Sequence, residues 1–195
     1  MVSLFSHFSF LDPSLRFEVL ETIAKQAFKI YYSKGDILLR TGEMSGKLYF
    51  IEKGLVRSCT FTETETTTWI FAEGDWISSA EKFSEKLPSL ESLEVLENST
   101  VWVISYADWQ SLQDQSPVLK DVTIQLLQQA LTRVNTRLQL LTIDSPAKRY
   151  EVFLKTFPQL ANRLLSNHLA SFLHMRPKTL SRVKKHLRNQ DKRIF

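Results

Sequence analysis

The spacing of apolar residues changes character repeatedly along this chain of 195 residues. After Asp12-Pro13, Leu20, Ile23, Ala24 and Ala27 fall on one face at helical spacing, which predicts a first helix. From residue 37 the pattern shortens to runs of β-branched and aromatic residues. These are Ile37 to Leu39, Leu48 to Ile51, Leu55 to Phe61, Thr66 to Phe71, Leu93 to Leu96 and Val101 to Ile104. The glycines (Gly35, Gly42, Gly46, Gly54, Gly74) all lie in this part of the chain, where tight turns need positive φ. Short strands separated by turns predict an antiparallel barrel or roll.

Beyond Ser116-Pro117 the period lengthens again. Ile124, Leu127, Leu131, Val134, Leu138 and Leu141 recur at alternating spacings of 3 and 4, the a/d seam of a two-stranded coiled coil. A second row, Leu119, Val122, Leu126, Ala130 and Leu140, lies beside it and can face the barrel of the same chain. A narrow seam next to a separate apolar row favours dimerisation. The alternative is that the seam is only the core face of its own domain.

Asp144-Ser145-Pro146 breaks this helix, with Ser145 suited to cap the next one and Pro146 to begin it. Ala147, Tyr150, Phe153, Leu154 and Phe157 mark that helix's buried face. Residues 166–185 then read as two short helices around a tight turn. Leu169, Ala170 and Leu173 line the first, and Leu180, Val183 and Leu187 the second. Pro177 fits the first helical position, where its missing N–H costs nothing. This outline is a helix-turn-helix, whose second helix enters the DNA major groove.

Charge strengthens that reading. Residues 116–195 hold 15 Lys+Arg and 4 Asp+Glu, a net of +11, while residues 1–115 hold 10 and 17, a net of −7. A basic third on an otherwise acidic chain suits a polyanion. Cys59 is the only cysteine, which excludes a disulfide framework and four-thiolate iron–sulfur ligation. No apolar run approaches the ~18 residues of a membrane span, and the N-terminus has no basic residue before Arg16, so a cytoplasmic protein is expected. His7, His168, His174 and His186 show no ligand spacing, so neither metal nor cofactor is expected. No nucleophile elbow, HExxH, P-loop or dinucleotide fingerprint is present, which argues against an enzyme.

The order of helix, roll, long helix and helix-turn-helix resembles the cyclic-AMP receptor protein/fumarate-nitrate regulator (CRP/FNR) family of bacterial transcription factors. KGDILLRTGEMSGKLYFIEKGLVR is similar to the family's glycine-punctuated strands, and FAEGDWI resembles the strand entering its ligand loop. SPAKRYEVFLKTFPQLANRLLSNHLASFLHMRPKTLSRVKKHL resembles the DNA-binding half, particularly of Bacteroidetes members. The resemblance implies an α+β fold in which residues 1–115 form an antiparallel β-roll of the cyclic-nucleotide-binding type. Residues 116–144 would be the dimerisation helix. Residues 145–195 would be a winged-helix-like helix-turn-helix domain with a reduced wing, since RNQDKRIF can supply one short strand or a tail. It further implies a homodimer on palindromic double-stranded DNA, a small-molecule effector, and RNA polymerase as a partner.

By the same resemblance, Arg176, Lys178, Thr179 and Arg182 would face the groove, while Lys184, Lys185 and Arg188 would meet phosphates. His174 stands where relatives often have Gly at positive φ, a conformation histidine tolerates. The roll departs from the cyclic-nucleotide pattern. Ser78 and Ser79 occupy the places of the Gly-Glu pair that holds the ribose, and Ser89 lies near the place of the phosphate-binding Arg. Buried phosphate needs a cation or several donors. Arg57 or Lys82 are the candidate substitutes, and Trp76 with Trp69 the candidate apolar lining. Ordinary cyclic-AMP binding is not expected. The alternatives are a cyclic-nucleotide signalling module or a ligand-independent dimeric scaffold.

Overall fold

A computed structural model describes residues 13–44, 46–61, 63–78 and 88–191. Helix α1 (Pro13–Gln26) precedes a roll of eight strands: β1 (Phe28–Tyr32), β2 (Ile37–Leu39), β3 (Lys47–Lys53), β4 (Val56–Phe61), β5 (Glu65–Phe71), β6 (Trp76–Ser78), β7 (Ser92–Val95) and β8 (Ser99–Ser105). Helices α2 (Tyr106–Gln115), α3 (Pro117–Leu141), α4 (Pro146–Thr156), α5 (Ser166–Phe172) and α6 (Pro177–Asp191) follow. The fold is α+β, as the sequence predicts. Ser145 caps α4 by accepting from the Lys148 amide, and Pro146 opens the helix.

The strands form two antiparallel sheets, ordered β1-β8-β3-β6 and β2-β7-β4-β5. Strand alternation gives each sheet an inner and an outer face. Tyr49, Ile77 and Val103 lie opposite one another in register, as do Val56 and Val95. With Leu39, Ile51, Leu93 and Val101 they close the roll's interior. The hairpin between β3 and β4 turns at Gly54, whose φ is 116°, and a Cβ there would sit 2.0 Å from Ser99 Oγ.

The outer face of the first sheet carries Phe50 and Trp76, which pack with Trp109 and Leu112 of α2, Leu119 and Val122 of α3, and Leu20 and Ile23 of α1. The outer face of the second sheet carries Leu55 and Ile70, which join the C-terminal half in one core with Phe153, Leu169, Phe172 and Leu180. Trp69 stands edge-on to Phe157 and Phe172, at 6.0 and 5.9 Å between centroids. The C-terminal half is therefore packed directly on the roll of its own chain.

Some elements depart from expectation. Strand β1 and helix α2 are not among the predicted elements. Arg188 to Asp191 continue α6 rather than starting a strand, and residues 192–195 lie outside the described residues. Among the described residues no helix is long and apolar enough to cross a membrane.

Candidate functional site

Helices α5 and α6 form the helix-turn-helix. Leu169, Ala170, Leu173 and Leu180 are fully buried between them and α4. α5 ends in a Schellman arrangement: the Met175 amide donates to Ala170 O at 2.9 Å and the His174 amide to Ser171 O at 3.0 Å. His174 takes φ 50° at the position that motif reserves for a left-handed residue. The turn then releases Arg176 and Pro177 into the first turn of α6, where the Thr179 and Leu180 amides bond Arg176 O.

Burying Leu180 and Val183 fixes which face of α6 is left outside. Lys178, Arg182, Lys185 and Arg188 are exposed on it, Thr179 is half-buried beside them, and Arg176 is exposed just ahead of the helix. Lys184 is different. Its ammonium lies 5.8 Å from the Tyr150 ring centroid, and burial, then the Arg188 charge, lowers its pKa. That places it against α4, turned back from the exposed row.

Not all of the basic half is available to a polyanion. Arg133 pairs with Asp75, Arg163 pairs with Glu73 and Glu97, and Arg137 and Arg149 donate to backbone carbonyls. Net charge along the sequence does not distinguish these from the exposed row on α6.

The seam on α3 is uncovered within the protomer. Ile124, Leu127, Leu131, Val134 and Leu138 are each 52–61% exposed, and Leu141 is half-buried. The second row faces its own chain: Leu119, Val122 and Leu140 are buried and Leu126 packs on the α1–α2 core. The result is an uncovered apolar stripe at heptad spacing along a 25-residue helix.

The expected effector residues do not converge. Arg57 lies opposite Glu94 and Ile70, so it projects from the outer face of its sheet, beneath α5. There it is buried and paired with Glu65 at 2.7 Å, with Glu94, and with Thr67 Oγ1 at 3.3 Å. It cannot serve as an interior phosphate ligand, because strand parity points it away from the cavity. Trp76 is corrected for the same reason: it lies opposite Phe50 and contacts helices. Trp69 belongs to the interdomain aromatic cluster. Ser89 is buried in a turn, its hydroxyl donating to Glu91 O at 2.8 Å. Ser78, in β6, pairs through its backbone with Leu48 of β3. Ser79 and Lys82 lie outside the described residues.

On the inner face the polar pair is one the sequence reading missed. Ser58 lies opposite Leu93 and donates to the Glu91 carboxylate. The register reveals this: β4 pairs with β7 without interruption from Val56 to Cys59, so Ser58 shares the inward side of Val56, and the irregularity at this level skips Thr68 of β5. Cys59 Sγ lies within 4.8 Å of carboxylate oxygens of Glu65 and Glu94. Arg57 already neutralises both, so a metal ion there would have to displace a guanidinium.

Residues 29–116 match the family profile described as the cyclic nucleotide-binding domain. In fold the chain is similar to FixK2 from Bradyrhizobium japonicum, with a TM-score of 0.74 and 16% identity over 85% of this chain and 86% of that one. It is also similar to CLP of Xanthomonas campestris, a c-di-GMP responsive global regulator, with a TM-score of 0.72 and 18% identity over 90% and 93%. A third is a protein from Eubacterium rectale assigned to the crp/fnr family, with a TM-score of 0.68 and 14% identity over 94% and 86%. The chain has the CRP/FNR regulator fold. No curated protein matches it in sequence. Within that fold the roll is the cyclic nucleotide-binding domain, and α5–α6 are the helix-turn-helix.

Proposed function

We propose that the protein is a homodimeric transcription regulator of the CRP/FNR type. The seams of two α3 helices join the protomers, and the paired α6 helices read a palindromic duplex. The observation that carries this reading is the exposed row Lys178, Arg182, Lys185 and Arg188 on the helix that follows the His174 turn, with Arg176 exposed at its entry. Arg176 and Arg182 suit bidentate contact with guanine O6 and N7, Lys178 donates to the same edge, and the Thr179 methyl meets thymine. Lys185 and Arg188, farther along, reach phosphates.

The roll senses a small molecule other than cyclic AMP. The support is electrostatic: its buried arginine points outward into an ion-pair network, and its inner polar pair is a serine with a carboxylate. A cyclic phosphate placed beside Glu91 meets like charge. Gel shift of the purified full-length protein against a pool of random-sequence duplexes at low salt tests the DNA reading. Retarded complexes support it, and their absence at all concentrations overturns it. Calorimetry with cyclic AMP, cyclic GMP and cyclic di-GMP tests the sensor reading; the last is included because one regulator of this fold responds to it. Heat of binding with cyclic AMP contradicts the assignment.

A further inference from the structure

The positions of the base-reading residues relative to the dimer seam depend on how the α5–α6 turn is tied to α3. We propose that Arg149 is a positioning residue that fixes this angle, with Arg137 as its second support. The inference rests on the DNA-reading function proposed above and adds to it the element that sets half-site geometry.

Arg149 projects from the first turns of α4. Its Nε and Nη2 both donate to Ile143 O, at 3.0 and 2.6 Å, just past the end of the dimer helix. Its Nη1 donates to Leu173 O at 2.7 Å and to His174 O at 3.2 Å, in the turn between α5 and α6. One guanidinium thus joins segments thirty residues apart in sequence, the exit of α3 and the entry to the reading helix. Arg137, on α3 itself, donates to Phe172 O and to Thr67 O, at 3.3 Å for the latter, and its guanidinium carbon lies 4.0 Å from the Phe172 ring centroid. Carbonyls 172, 173 and 174 are therefore all held by arginines.

The chemistry explains why arginine is needed. The last carbonyls of a helix lack intrahelical partners and carry the negative end of its dipole. A short helix that ends in a left-handed turn presents several of them together. A planar fork of five donors can serve carbonyls on two segments at once, whereas an ammonium is a single point charge. Among the described residues neither arginine bonds to a side chain of α6, so their effect on DNA passes through backbone geometry. No carboxylate bonds either guanidinium among the described residues, so their hydrogen bonds are spent on main-chain positions.

The test uses full-length protein carrying Arg149→Lys, which keeps charge and loses the fork. Two readouts are taken: affinity for palindromes whose half-site spacing is varied one base pair at a time, and the distance distribution between spin labels at Thr132→Cys and Asn189→Cys in a Cys59→Ser background, diluted with unlabelled protein. The wild type is expected to give a narrow distribution and one preferred spacing. The variant should broaden the distribution and lose, on the order of, tenfold at the preferred spacing, as expected for removing charged hydrogen bonds, while other spacings change little. A merely structural role would lower thermal stability and weaken all spacings equally. Unchanged distances and unchanged spacing preference overturn the proposal. If Arg149→Lys does not fold, Arg137→Lys reports on the same clamp from α3. If the wild type binds no duplex, the DNA reading fails, and the spin-label distances alone decide: broadening supports the clamp, and an unchanged distribution overturns it.

Discussion

Arg163 and Glu73 form a two-pronged ion pair, Nη1 to Oε2 and Nη2 to Oε1, both at 2.8 Å. The pair crosses from the segment before α5 to the roll, and the same guanidinium also donates to Gly54 O at 3.2 Å and to Glu97. It thereby bolts the C-terminal half to the roll in addition to their shared apolar core. Burial pushes the Glu73 carboxyl up, but the Arg163 hydrogen bonds and the Gly54 amide outweigh it and bring the pKa down to about 2. A depressed folded-state pKa stabilises the fold above the ordinary value of 4.5 and ceases to do so as pH falls toward about 2. The melting-temperature gap between wild type and Glu73→Gln should therefore hold steady from neutral pH to about 5 and close below that. A scanning-calorimetry series showing a gap independent of pH throughout would contradict this.

Replacing Leu131 and Leu138 by Glu puts charges on the exposed stripe of α3, where both side chains are more than half exposed in the protomer. Neither residue belongs to the cores described above, so the fold should survive and the proposed dimer should not. Sedimentation should find a folded protomer. An intact dimer would place the interface elsewhere.

Arg182→Ala should cost on the order of 1–3 kcal/mol at the cognate site and relax base choice there. Lys185→Ala should weaken cognate and random DNA alike and reduce the salt slope by about 0.9 for each protomer on the duplex. Footprinting titrations at several salt concentrations separate the two. Equal losses on both DNAs for Arg182→Ala would remove it from the base contacts.

His174 holds φ 50°. Left-handed backbone costs an ordinary L-residue roughly 1–2 kcal/mol, and a β-branched side chain more. His174→Gly should be neutral or mildly stabilising, and His174→Val destabilising by about that amount. Urea denaturation giving the opposite order would mean that the imidazole itself holds the turn.

How far the sequence could be read follows from which signals are periodic. The α3 stripe was legible because its apolar residues recur at alternating spacings of 3 and 4, and the fold leaves five of them exposed. The helix-turn-helix was legible because Leu169, Ala170, Leu173 and Leu180 match a two-helix template, and Pro177 and His174 fit its special backbone positions. Strand β1, Phe28–Tyr32, was missed because it is short, follows directly on the helical pattern of α1, and has four of its five positions exposed. Helix α2 was missed because only Trp109 and Leu112 are buried in it. Arg57 and Trp76 were misassigned because strand parity depends on register and bulges, which composition does not carry. Arg137, Arg149 and Arg163 were counted as generic positive charge, since only the folded chain brings them to their carbonyls and carboxylates.

Selection of bound sequences from a random duplex library by the full-length protein tests the central claim most directly. The account predicts enrichment of a two-fold symmetric motif with half-site centres about one helical turn, ~34–36 Å, apart, lost in the Leu131→Glu, Leu138→Glu protein. Recovery of no motif, or of an asymmetric one that the double variant binds equally well, would contradict it.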